Sequence, residues 1–163
     1  MIPLNDLAFI AHVEKSLKIE KDNQLKWDKR YLILAKHVAS WSKDPRKKCG
    51  AVVVGDRQVL GIGYNGFPKG IQDTDKRLLD KSLKLQIVVH AEVNAILAAN
   101  NAGDTMYVYP QLPCGQCMGL IIQAGIKRVV TGPLNTESNW NQGLVLEVAE
   151  EGGIDVCIID ILR

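Results

Sequence analysis

The residues able to do chemistry fall into two short stretches, His90-Ala91-Glu92 and Pro113-Cys114-Gly115-Gln116-Cys117. One imidazole and two thiols make three good zinc ligands, and a catalytic zinc keeps three protein ligands with one position open to water. Cys114 and Cys117 stand three residues apart where a helix should start, so both side chains project from one side. Pro113 fits just before or at that start. The positive end of the helix macrodipole there favours thiolate over thiol. His90 reads as the start of a second helix, so two helix N-termini would converge on one metal. Two thiolates and a neutral imidazole roughly cancel the metal charge, and a bound water can still be acidified toward neutral pH. Glu92, two residues from His90, is placed to take a proton from that water and hand it to a departing nitrogen without ligating.

A closed structural site would need a fourth ligand, and only Cys49 or Cys157 could supply one. Both sit in apolar strand patterns and read as core thiols. His12 and His37 lie in amphipathic helical segments and read as surface or packing residues. A non-catalytic zinc module that binds a nucleotide or a protein is the rival from another class. Glu92 argues against it, since a structural zinc has no use for that carboxylate.

Positioning these groups falls to an ordinary globular chain. Its 163 residues suit a single domain spanning 1–163, and 47% apolar with 23% charged residues is the usual balance. No apolar run approaches the roughly 18 residues of a membrane span. Asn5, Asp6, His12, Glu14 and Lys15 interrupt any signal-peptide pattern, which leads us to expect a cytoplasmic protein. Without a secretion signal, two cysteines separated by two residues suggest a metal or redox site rather than a disulfide. A net charge of +2 gives no support for a nucleic-acid partner.

Along the chain, residues 1–26 read as an N-terminal extension carrying a short amphipathic helix, with a solvated, charge-rich tail from Lys15 to Lys26. A firmer helix should open at Trp27-Asp28 and end near Trp41, because Pro45 disfavours helix at Asp44. Ser42 to Lys48 is then a basic loop, whose Lys43 and Arg46 could meet a substrate phosphate. Cys49–Val54 and Val59–Tyr64 should form a hairpin about Gly55–Gln58. Asn65–Gly70 follows as a loop dense in turn residues, with Lys69 beside Asn65 as a weaker phosphate candidate. A helix is expected near Lys76–Leu83 and another from His90 to about Asn100. From Thr105 the order strand, helix, strand, helix, strand implies right-handed crossovers and parallel pairing. The strands are placed at Thr105–Tyr109, Arg128–Thr131 and Ile154–Ile159, the helices at Cys114–Gly125 and Asn141–Glu150. The expected fold is an α/β three-layer αβα sandwich on a mixed five-stranded sheet, with strands 4 and 5 parallel.

The order H-x-E followed by P-C-x-x-C is the zinc deaminase signature. With Ser42-x-Asp44-Pro45, Gly50–Val54, Gly63-Tyr64-Asn65-Gly66-Phe67-Pro68, Asn94-Ala95-Ile96 and Ile121–Ile126, the sequence resembles the cytidine and deoxycytidylate deaminase superfamily. The Gly-Tyr-Asn-Gly loop points to its dCMP branch. The resemblance covers roughly Trp27 to Val130. It implies His90, Cys114 and Cys117 as ligands of zinc, Glu92 as proton carrier, Asn65 on the sugar, and the backbone near Ala91 on the pyrimidine. It implies hydrolysis of dCMP to dUMP and ammonia, feeding thymidylate synthesis, by a homo-oligomer anywhere from dimer to hexamer. Substrates such as dCTP, a nucleoside, a free base or a tRNA adenosine are the alternatives. Since Ile71–Val89 holds no histidine or cysteine, one zinc per chain is expected.

Overall fold

The computed structural model describes residues 4–134 and 140–161, and side chains from Ala11 onward. Helix α1 (Leu4–Ala39) leads into strands β1 (Gly50–Gly55) and β2 (Gln58–Tyr64). Helices α2 (Asp75–Leu79), α3 (Lys81–Ile87) and α4 (Ala91–Ala98) follow. Then β3 (Thr105–Tyr109), α5 (Gly115–Gln123), β4 (Arg128–Thr131), α6 (Gln142–Glu151) and β5 (Asp155–Ile158) alternate. The sheet order is β2-β1-β3-β4-β5. Strand β1 pairs antiparallel with both β2 and β3, while β3, β4 and β5 run parallel. The expected mixed sheet is therefore the observed one.

Parity along β1 sorts the core into two layers. Val52 and Val54 face α1, where they meet Tyr31, Leu32, Ala35, Val38, Tyr107 and Val130. Ala51 and Val53 face α4, α5 and α6, with Met106, Val108, Met118, Ile121, Val129 and Val145. Apolar side chains at 31, 35 and 38 of α1 follow the helical repeat and lie on the sheet.

Two local expectations are corrected. The helix does not open at Trp27: α1 is continuous from Leu4, with 36 residues and a length of about 54 Å. No glycine or proline interrupts 4–39, and the charged stretch is rich in Lys, Glu, Gln and Leu, all good helix formers. Solvation was read correctly, since every side chain from 11 to 26 is exposed. The helix expected near Lys76–Leu83 is two helices, because Asp80 breaks the run. Its carboxylate then caps α3 by accepting from Leu83 N–H at 3.1 Å. The hairpin turns at Asp56 and Arg57, with φ of 48° and 61°, the left-handed pair that a two-residue turn of this hand requires.

Candidate metal and active site

The site is built from two helix starts on the same sheet face. His90 is the N-cap of α4 and Cys114 the N-cap of α5, both in extended backbone, and Cys117 lies in the first turn of α5. Strand β2 makes room for α4 by presenting Gly61 and Gly63 to its backbone. Asn94 Nδ2 donates to Tyr64 O at 2.9 Å and ties the same helix to the end of β2.

His90 Nδ1 lies 3.3 Å from Cys117 Sγ and 3.5 Å from Cys114 Sγ. All three donor atoms fall within 4.8 Å of one another. Tetrahedral zinc with bonds near 2.0–2.1 Å to nitrogen and 2.3 Å to sulfur sets such N···S separations at about 3.6 Å. The donor set and its spacing therefore fit the ion. The protonation pattern fits as well. A hydrogen bond from the Cys117 thiol, helped by the His90 ring and opposed by burial, brings Cys114 down to about 4. The same bond to Cys114, with burial and the neighbouring Glu92, holds Cys117 protonated well above the usual thiol range. A cation arriving between them would displace that remaining proton.

His90 and Cys114 open into a cavity of about 520 Å³ that is also lined by Glu92, Asn65, Cys49, Ala91, Gln111 and Trp140, with Cys117 buried behind them. That volume suits a small organic substrate. Glu92 is 6% exposed and is not among the clustered donor atoms. Burial pushes its carboxyl above the usual range, which suits a group that must both take and give a proton.

The structure places the remaining expected residues unequally. Ala91 is fully buried in the first turn of α4, where the backbone N–H has no intrahelical acceptor. Asn65 lines the cavity, yet its amide also fastens the neighbouring loop: Oδ1 accepts from Cys49 N–H at 2.7 Å, and Nδ2 donates to Lys47 O at 2.9 Å. One N–H and one lone pair of that amide stay free of these bonds. Arg46 lines the cavity, whereas Lys43 does not. Lys43 pairs with Asp73 at 2.8 Å with its side chain 71% exposed. Lys69 lines a separate shallow cavity with Ile71 and Arg77. Cys49, read as a core thiol, borders both core and cavity, and burial lifts it to about 12.

Several residues of the cavity wall, among them Gln111, Trp140 and Lys84, escaped the sequence reading. Lys47 Nζ donates to Gln111 Oε1 at 2.6 Å and stands 5.1 Å from the Trp140 ring centroid. Lys47 lay within the basic loop already singled out, but nothing local marked Gln111 or Trp140 as its partners. Lys84 is buried and bonds both Asp44 oxygens, at 2.7 and 2.8 Å. Burial works against the Asp44 charge, but Lys84 and the Arg46 and Lys47 backbone N–H groups outweigh it and keep the carboxyl below its usual range.

A metal donor set and a buried carboxylate sharing one cavity define a hydrolytic metalloenzyme. The cytidine and deoxycytidylate deaminase zinc-binding region, as a family, matches residues 25–133, and the chain belongs to this family of deaminases. It is 36% identical over 150 residues to an uncharacterised deaminase in the luxG 3′ region of Aliivibrio fischeri, covering 85% of this chain and 98% of that one. It is 41% identical over 122 residues to the deoxycytidylate deaminase of Pongo abelii, covering 68% and 67%. Among solved structures, the apo dCMP deaminase of cyanophage S-TIM5 aligns with a TM-score of 0.64 at 25% identity, over 81% of this chain and 96% of that one. Among the described residues, no helix is long and apolar enough to cross a membrane.

Proposed function

We propose that this protein deaminates dCMP to dUMP with release of ammonia, supplying dUMP for thymidylate synthesis in the cytoplasm. The observation that carries this is the His90, Cys114 and Cys117 cluster, which reaches through His90 and Cys114 into the cavity that buried Glu92 also lines. The named activity of the deoxycytidylate deaminase relatives supports dCMP as the substrate. The three clustered residues would hold one zinc per chain, which would supply a Lewis acid able to acidify water toward neutral pH. Glu92 takes a proton from the water that attacks C4 and delivers it to N3. It then carries the second proton to the 4-amino nitrogen, which leaves as ammonia. The Ala91 N–H and the free amide capacity of Asn65 orient the pyrimidine and the sugar. Arg46 faces the phosphate. The whole chain acts as one domain, in a homo-oligomer between dimer and hexamer.

The test offers the zinc-loaded protein dCMP, dCTP, deoxycytidine, cytosine and guanine, and measures ammonia. Turnover of dCMP above all others is expected, and no turnover of any cytosine compound would overturn the reading. Glu92→Gln should keep its zinc and lose on the order of 10²–10⁴ in rate. Cys114→Ala should lose metal; unchanged zinc stoichiometry would remove it from the ligand set.

A further inference from the structure

Helix α3 lines one wall of the cavity through Lys81, Lys84 and Leu85, and α2 precedes it directly. No residue of 71–87 belongs to either core cluster, and Lys84 is the one buried side chain in that segment. Its ammonium contacts both oxygens of Asp44, with each side chain 8% exposed. A lysine so far from water is tolerated because its charge is matched at hydrogen-bond distance.

Asp44 is itself fixed to the opposite wall. Its Oδ1 accepts from the Arg46 and Lys47 N–H groups at 2.8 and 3.1 Å. Its own N–H reaches Ser42 Oγ at 3.2 Å, and that hydroxyl donates to Asn65 O at 2.7 Å. The ion pair thus joins α3 to the loop that Asn65 holds. Among the described residues, two other side-chain contacts bind the segment, Arg46 to Leu79 O at 3.1 Å and Lys43 to Asp73 at 2.8 Å, and both are exposed. Exposed contacts of this kind hold little. Meanwhile α3 contributes Lys81 and Leu85 to the cavity lining.

We propose that Lys84 is a positioning residue: its pair with Asp44 docks α3 as the wall that closes the substrate cavity and sets Lys81 and Leu85 against the bound nucleotide. The kinetic part of this proposal rests on the dCMP reading above; the docking part stands without it. Neither residue of the pair touches the reacting atoms, so its loss acts on capture of substrate more than on the chemical step.

The test compares wild type with Lys84→Met, Asp44→Asn, the double variant and Lys84→Arg. KM and kcat for dCMP are measured together with amide hydrogen exchange along the chain. In each charge-deleting variant, KM should rise by about tenfold or more while kcat falls by less than about threefold. Exchange should accelerate in 75–87 and stay slow in β1 and β3. The double variant should be no worse than the worse single one, because both delete one interaction. Lys84→Arg, which keeps the charge, should recover most of the KM. A KM within about twofold of wild type with unchanged α3 exchange would overturn the proposal. So would faster exchange throughout the molecule, or failure of both charge-deleting variants to fold, since either would make the pair a support of the whole domain. A wild-type protein inactive on dCMP would instead sink the substrate reading and leave the exchange comparison to decide the docking of α3.

Discussion

Gly63 is the position where one added methyl group should reach the chemistry. It lies on β2 beneath the first turn of α4. A Cβ there falls under 3 Å from Ala91 O and Ala95 N, and 2.8 Å from the Asn94 carbonyl carbon. All three obstacles are backbone, so no change of rotamer relieves them. Ordinary contact begins at 3.4 Å, and Gly63→Ala therefore forces α4 outward by at least 0.6 Å. The helix cannot simply tilt away, because Ala95 and Ile96 are packed in the core and Asn94 holds Tyr64 O. His90 and Glu92 ride on the turn that moves. Misplacing reacting groups by about 1 Å costs on the order of 10²-fold, so kcat for dCMP should fall by roughly 10- to 100-fold. Overpacking should cost about 1–3 kcal/mol, and for a chain of this size each kcal/mol lowers Tm by roughly 2–4 °C. Steady-state ammonia release, thermal unfolding and zinc content measure the three consequences. A lowered Tm with kcat within about twofold of wild type would show that the displacement of α4 does not reach Glu92. An unchanged Tm would refute the close approach of strand and helix itself.

Other substitutions should behave differently. Gly119 in α5 has open space where its Cβ would stand, so Gly119→Ala should stabilise by about 0.4–1 kcal/mol in urea titration and leave zinc binding intact. Arg128 bonds both oxygens of buried Asp28 at 2.8 Å, and Tyr107 and Gln24 each bond Oδ1 at 2.9 Å. Arg128→Ala should cost about 3 kcal/mol, at the low end for a broken buried pair, because Tyr107 and Gln24 remain. Burial opposes the Asp28 charge, but Arg128, Gln24 and Tyr107 outweigh it and keep the carboxyl below its ordinary value, as happens at Asp44. Both groups therefore give their full stabilisation above the unfolded value near about pH 4 and lose it as pH falls through the folded values. Urea midpoints taken from about pH 7 to about pH 3 should drop more steeply in wild type than in Asp28→Asn, and equal slopes would refute the assignment.

The parts of the fold legible in the sequence are those set by local composition. Strands β3 and β4 lie at the expected residues, because short β-branched and aromatic runs are bounded by turn residues on both sides. The cluster of His90 with Cys114 and Cys117 was legible because cap positions constrain where those side chains stand. The length of α1 was not, since a charged stretch reads equally as solvated loop or solvated helix until its missing breakers are weighed. Lys84 escaped because periodicity counts lysine as polar, and only the distant Asp44 explains its burial. The clamp made by Asn65 escaped for a similar reason, as its acceptor and donor are backbone atoms of Lys47 and Cys49. Interactions between groups far apart in sequence leave no mark at either position alone.

The alternation along β1 has a consequence for how variation is tolerated. Val52 and Val54 touch only the α1 side, whereas Ala51 and Val53 touch the side that carries the metal cluster. Neighbouring residues on one strand thus answer to different demands. A lesion at an even position should be felt as lost stability with the surviving molecules fully competent. A lesion at an odd position should impair the competence of molecules that are still folded. The sheet is a partition, and a survey of variants along this one strand would separate the constraints of folding from those of chemistry by parity.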